Sequence, residues 1–373
     1  MMQMYDPKRE YKKHKSEINA SIQKILDHGI FINGPEVKEL ENKLSEYVGV
    51  KHCIGVSNGT DALKIALLAL GVGFGDEVIT VSYSWISTAE VISIINAKPV
   101  FVDIEEITFN MDSSLLEHKI TDKTKAIIVV SLYGQIADID SINNIANKYN
   151  IPVIEDGAQS FGATYNGKKS CSLTTIGTTS FFPSKPLGCY GDGGACFTND
   201  DELEIKIRSI KSHGGLKRFH HKYIGLNSRL DTIQAAILLT KIKYFENTLQ
   251  SRNNCANYYN DNLLFLKKKG FVLPTVKEGR LSAWSQYSIT CNNKEERNNI
   301  VAYLKNNNIN AAIFYPSPLH TQECFQYLFT DGLPSLPITN RICNTVFNLP
   351  CYAEVTKDEQ DNIINILKFY FNS

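Results

Sequence analysis

Three short stretches hold the residues that could do chemistry, beginning with Thr179-Ser180-Phe181-Phe182-Pro183-Ser184-Lys185-Pro186-Leu187-Gly188-Cys189-Tyr190-Gly191-Asp192-Gly193-Gly194-Ala195. A lysine sits here among aromatic, proline and glycine residues, between two strand-like runs. Such surroundings partly desolvate an ammonium group and lower its pKa, favouring the free amine that a Schiff base needs. Four glycines fall between Gly188 and Gly194, so the backbone can approach a ligand closely or take positive φ. A lone loop lysine is ordinarily just solvated; this one is embedded in a motif.

The second stretch, Pro152-Val153-Ile154-Glu155-Asp156-Gly157-Ala158-Gln159-Ser160, puts two carboxylates at the carboxyl end of an apolar strand. Ligands bind along that edge of open α/β sheets. A carboxylate there can keep a pyridine nitrogen protonated and make the ring a better electron sink. The same acid could equally cap a helix or bind a metal. The third stretch, Ser57-Asn58-Gly59-Thr60-Asp61-Ala62-Leu63, runs from a small polar turn into a helical pattern. Unpaired N–H groups at a helix start make an anion site, with the Ser57 and Thr60 hydroxyls at hand. Without a ligand, the same residues are ordinary N-caps.

These stretches must be positioned by the elements around them. Strand-like runs are expected at 77–82, 98–103, 125–131, 152–155, 178–182 and 194–198, and helices at 61–70, 88–96 and 139–149. The alternation reads as βαβ units, hence an α/β chain with a mostly parallel sheet covered by helices. A long helix is expected over Asp231–Asn253, followed by strand-like FVLP and SAWSQYSITC runs and helices near 295–306 and 358–371. That change of pattern predicts a large domain over 1–245 and a smaller α+β domain over 246–373, as does a length of 373 residues.

Composition excludes several classes. Lys plus Arg and Asp plus Glu are 39 each, so neither a nucleic-acid nor a membrane-surface partner is expected. The balance also leaves little charge repulsion against self-association. The start, MMQMYDPKREYKKHKSE, is polar with no apolar region behind it, and no run is long enough to span a membrane. Nine scattered cysteines without a CxxC pair suit reduced thiols in the cytoplasm, and no metal site is expected.

The run SFFPSKPLGCYGDGGA resembles the cofactor-lysine motif of the DegT/DnrJ-type sugar aminotransferases, a branch of the fold-type I pyridoxal 5'-phosphate (PLP) enzymes. The resemblance covers nearly the whole chain: FINGP with the helix after it, SNGTDAL, GDEVIT, PVFVDI, SLYGQIADID, IEDGAQSFGA, LNSRLDTIQAAIL and FYPSPLHTQ follow in the family's order. It implies that Lys185 carries the cofactor and moves protons, and that Asp156 pairs with the ring nitrogen. Gln159 would lie by the ring's 3-oxygen, with Gly59, Thr60, Asp61 and Ser180 cradling the phosphate and Trp85 stacking on the ring. Asn227 would reach the phosphate from a partner subunit, which implies a homodimer with shared active sites.

For a nucleotide-linked keto-sugar, the resemblance implies contacts from Arg229, Tyr315 and His320, and from His220 and His221 on the loop beginning at His213. Adjacent loop histidines are more often solvated than ligands, and Glu155 reads as structural. L-glutamate is the implied amino donor. The SLYGQ and SCSLTTIGTTSFFPSK segments look most like members that aminate C3 of a UDP-linked 3-keto-N-acetylhexuronate, with Arg218 or Lys222 available for a uronate carboxylate. The alternatives are a 4-keto-6-deoxy sugar aminotransferase of the perosamine-synthase type, a dehydratase, and a non-catalytic regulatory or scaffold member. Lys185 speaks against a dehydratase, whose relatives carry histidine there. Lys185, Asp156 and Gln159 together speak against a non-catalytic member.

Overall fold

The computed structural model describes residues 1–330 and 332–372. Its frame is a seven-stranded sheet of β1 (His52–Val56), β2 (Glu77–Val81), β3 (Lys98–Val102), β4 (Thr124–Val130), β5 (Val153–Asp156), β6 (Ile176–Ser180) and β7 (Gly194–Thr198). The order is β1-β7-β6-β5-β4-β2-β3, and β7 runs antiparallel to both of its neighbours while the remaining pairs are parallel. The α/β architecture is therefore the one the alternation predicts, and the anticipated strands lie within about two residues of those observed. Patterning does not single out β1.

Eight helices lie between the chain start and Asn262: α1 (Pro7–His28), α2 (Pro35–Val48), α3 (Gly59–Ala69), α4 (Ser87–Ile94), α5 (Ile139–Lys148), α6 (Asp201–Ile210), α7 (Thr232–Lys241) and α8 (Phe245–Asn262). Successive strand residues face opposite sides, so each face gathers its own core. Ile54, Val78, Ile128 and Ile154 pack with Leu63 and Leu67 of α3 and Ile207 of α6. Ile79, Val81, Ile127 and Val129 pack with Leu40 of α2, Ile142 of α5 and Leu238 of α7. Each such fully buried side chain contributes about 1.5–3 kcal/mol.

The long helix expected over 231–253 is instead two, because a 3-10 turn at Ile242–Tyr244 separates α7 from α8, which runs on to Asn262. The FINGP motif starts α2: Gly34 donates its N–H to Thr232 Oγ1 at 3.0 Å, and a Cβ on it would lie 2.6 Å from Thr232 Cγ2. Beyond α8, a further core unites Tyr259 with the antiparallel pair Tyr287–Thr290 and Val346–Leu349 and the helices Lys294–Asn306 and Lys357–Asn372. The chain start joins this unit, since Met2 bridges to Ile309. No helix among the described residues is long and apolar enough to cross a membrane.

Candidate functional site

The carboxyl ends of β2, β4, β5 and β6 share one edge of the sheet, the edge where parallel strands leave ligand-binding crevices. Asp156 ends β5 there and is 7% exposed. Its Oδ2 accepts the Thr88 hydroxyl at 2.9 Å, and its Oδ1 accepts the Ala158 N–H at 3.2 Å. Burial raises its pKa, while those two donors and the Lys185 charge pull it back. Thr88 lies in the first turn of α4, whose dipole also favours an anion. Glu155, by contrast, is sealed beneath the sheet edge and accepts from Ser131 Oγ, Ser170 Oγ and the Cys171 N–H. It is structural.

Lys185 is half-buried as a residue, but its ammonium end lies deep and near Asp156. Burial lowers its pKa, with the Asp156 carboxylate opposing. No acceptor among the described residues takes a hydrogen bond from its Nζ, which leaves the amine available. The four glycines after it have no positive φ. They serve close approach instead, and what they approach is the chain itself: a Cβ on Gly194 would lie 2.5 Å from the Asn58 carbonyl, and one on Gly188 2.6 Å from the Pro183 carbonyl.

The start of α3 meets the end of β6. Asn58 caps α3 by accepting the Asp61 N–H at 2.7 Å, and Asp61 accepts the Ser57 hydroxyl at 2.5 Å. A Cβ on Gly59 would lie 2.7 Å from Ser180 Cβ, so the absence of a side chain lets the first turn of α3 pack directly against Ser180, and helix-start N–H groups beside a hydroxyl suit a phosphate. Thr60 Oγ1 sits 2.7 Å from Ser87 Oγ, joining α3 to α4. Gln159 is fixed at both ends of its amide: Oε1 accepts the Tyr133 N–H at 3.0 Å, and Nε2 donates to the Tyr315 hydroxyl at 3.0 Å. Burial pushes the Tyr315 hydroxyl well above its ordinary pKa. Trp85, 59% exposed, lies with its ring 6.4 Å from that of Tyr315 and leaves an aromatic face open.

The structure thus gathers Gly59, Thr60, Asp61, Trp85, Asp156, Gln159, Ser180, Lys185 and Tyr315 about the ends of β2, β5 and β6. It does not bring His320 to the opening. That ring is 1% exposed, with Nδ1 2.7 Å from Ser82 Oγ, and burial lowers its pKa. Arg229 is half-buried and forms no ion pair among the described residues. Asn227, His220 and His221 are exposed, and His221 Nδ1 turns back to the His213 carbonyl at 2.7 Å. Arg218 and Lys222 lie over their own neighbours, Phe219 and Tyr223, and no acid among the described residues pairs with either. Sequence reasoning missed Thr88 and Tyr133. Thr88 follows Trp85 by three residues in SYSWIST, which is the one local hint; Tyr133 acts through its backbone, which no residue pattern announces.

A family model described as the DegT/DnrJ/EryC1/StrS aminotransferase family matches residues 12–368. The chain is 50% identical over 352 residues to a protein of Pseudomonas aeruginosa called UDP-2-acetamido-2-deoxy-3-oxo-D-glucuronate aminotransferase, covering 94% of this chain and 95% of that one. It is 42% identical, over 98% of both chains, to a protein of Geobacillus stearothermophilus called pleiotropic regulatory protein. Among solved structures, NtdA of Bacillus subtilis with bound cofactor PMP superposes with a TM-score of 0.91 at 33% identity, covering 97% of this chain and 82% of that one.

Proposed function

Since the chain belongs to the DegT/DnrJ/EryC1/StrS aminotransferase family, we propose that it uses pyridoxal 5'-phosphate to move the amino group of L-glutamate onto C3 of a UDP-linked 2-acetamido-3-keto-hexuronate. The observation that carries the reading is the buried Lys185 amine, without an acceptor among the described residues and in the field of the buried Asp156 carboxylate. The likeness to the Pseudomonas aeruginosa enzyme supports the choice of sugar. The residues fit the cofactor: a phosphate suits the α3 start with Ser180, a ring nitrogen suits Asp156, and a planar ring suits the face of Trp85.

When bound, the cofactor supplies an electron sink for the carbanion formed at the donor carbon. Lys185 would carry the proton between the donor carbon and the cofactor carbon, and burial shifts its amine toward the unprotonated form that this needs. Asp156, steadied by Thr88 and the Ala158 N–H, holds a proton on the ring nitrogen. Gln159, fixed through Tyr133 and Tyr315, offers its amide to the ring's 3-oxygen. Arg229, Arg218 and Lys222, none of them ion-paired among the described residues, would supply cations for a diphosphate and a uronate carboxylate. One site serving two half-reactions gives ping-pong kinetics.

A homodimer belongs to the same proposal. Among the described residues the Asn227 side chain has no hydrogen-bond partner, and its loop exposes Leu216 (61%), Phe219 (84%) and Ile224 (94%), a surface suited to a second copy. We place the enzyme in the cytoplasm, feeding amino sugars to O-antigen or capsule-type polysaccharide, with the division into residues 1–245 and 246–373 as its domain plan. The test is an amination assay with glutamate over a panel of nucleotide keto-sugars, read by mass spectrometry. Amination of the UDP-3-keto-hexuronate above the rest supports the reading, and preference for a 4-keto-6-deoxy sugar overturns it. Lys185→Ala should abolish turnover; full activity in that variant would sink the mechanism.

A further inference from the structure

The segment bearing Lys185 leaves β6 at Ser180 and enters β7 at Gly194 with no helix or strand of its own. Its backbone closes on itself at a few points. Lys185 N–H donates to Phe182 O at 2.9 Å, Cys189 N–H to Phe181 O at 2.8 Å, and Phe181 N–H to Gly193 O at 2.8 Å. Between these, the arch is gripped from outside by two side chains of α7. Gln234 Oε1 accepts the Tyr190 N–H at 2.9 Å while its Nε2 donates to the Tyr190 carbonyl at 3.4 Å. Lys241 Nζ donates to the Gly188 carbonyl and pairs with Glu10 Oε2 of α1 at 2.6 Å.

Positions 234 and 241 are two turns apart and therefore share one face of α7. Lys241 is 4% exposed, and a buried cation persists only where it is paired and hydrogen-bonded. Here one partner is a carboxylate from the chain's first helix and the other is the lysine arch. Glycine makes the grip possible: a Cβ on Gly191 would lie 2.9 Å from Gln234 Nε2.

We propose that Lys241 and Gln234, with Glu10 behind them, are positioning residues for the transamination. They touch neither cofactor nor substrate. By fixing the Gly188 carbonyl and the Tyr190 peptide, they hold the arch in one conformation, so that the Lys185 amine stays beside Asp156 and aimed for proton transfer. A misplaced catalytic group costs rate rather than binding. The inference rests on the reading of Lys185 as the cofactor lysine.

The test uses Gln234→Leu, Lys241→Met and the double variant Glu10→Gln/Lys241→Met, which leaves no carboxylate facing the lost cation. Amide hydrogen exchange over residues 181–191 is followed in the cofactor-free protein, and steady-state kinetics in the loaded enzyme. Exchange over 181–191 should quicken about tenfold or more, while β2 and β4 keep wild-type protection; tenfold is a readily measured shift in a local opening equilibrium. The kcat should fall by about tenfold to a hundredfold, with KM for glutamate within about a factor of two. Wild-type exchange over 181–191 in Gln234→Leu and in the double variant overturns the proposal, as does faster exchange with an unchanged kcat. A wild-type chain that fails to transaminate while the variants still loosen the arch refutes the cofactor-lysine reading and supports the grip itself.

Discussion

Replacing Thr88 by valine exchanges one hydroxyl for a methyl of similar shape and removes a donor from the carboxylate that holds the ring nitrogen. The Thr88 hydroxyl lies 2.9 Å from Asp156 Oδ2 and 3.0 Å from Ser84 Oγ. An ionised carboxylate only accepts, so the Thr88 proton points at Asp156 and Ser84 donates to Thr88. A hydrogen bond to a charged group is worth about 1.5–3 kcal/mol, and each pKa unit is about 1.4 kcal/mol. The loss should therefore raise the Asp156 pKa by about one to two units, in the direction burial already pushes it. The proton then stays on Asp156 to higher pH, so the acid limb of kcat/KM should move toward neutrality by about that amount. The alkaline plateau should fall far less. The assay is a kcat/KM profile for glutamate across that limb in wild type, Thr88→Val and the control Ser84→Ala. A Thr88→Val limb that superimposes on wild type, or a loss of equal size at every pH, would refute the reasoning.

Other outcomes follow from packing and assembly. Gly194→Ala drives a Cβ to 2.5 Å from the Asn58 carbonyl, so it should cost about 1–3 kcal/mol in urea unfolding and weaken cofactor uptake in a fluorescence titration. Asp103 accepts the Ile338 and Thr339 N–H groups and the Thr339 hydroxyl. Asp103→Ala should therefore destabilise the chain by about 2–4 kcal/mol and speed hydrogen exchange in the helix Pro337–Thr345. Phe219→Glu should convert a dimer into inactive monomers in sedimentation; an active Phe219→Glu monomer would remove the shared-site proposal.

The fold was legible wherever burial on both faces wrote an unbroken apolar run, as in β4 and β2. It was least legible where tertiary packing overrides local pattern. In α1 the fully buried apolar positions are Ile18 and Ile25, a stripe too thin to stand out from a charged segment. The short strand Val346–Leu349 gains its identity from pairing with Tyr287–Thr290. At the candidate site, Lys185, Asp156 and Gln159 were legible because each sits in a compact motif. Thr88, Gln234 and Lys241 were not, since each acts on a partner far away in sequence, often on its backbone. His320 shows the converse: a motif histidine whose ring proves to be wall rather than opening.

The place of β1 at the sheet's edge bears on how the chain is made. Its one neighbour in the sheet is β7, with His52 opposite Thr198. A ribosome adding about 5–20 residues per second delivers that neighbour roughly seven to thirty seconds after β1 emerges. For that interval, a short apolar strand waits unpaired and prone to wrong partners. Its arrival also anchors the far end of the segment that began at β6. Nascent chains halted before residue 198 should therefore lack both the full seven-stranded sheet and an anchored far end for the Lys185 segment, which α7 can grip only once Gln234 and Lys241 have followed.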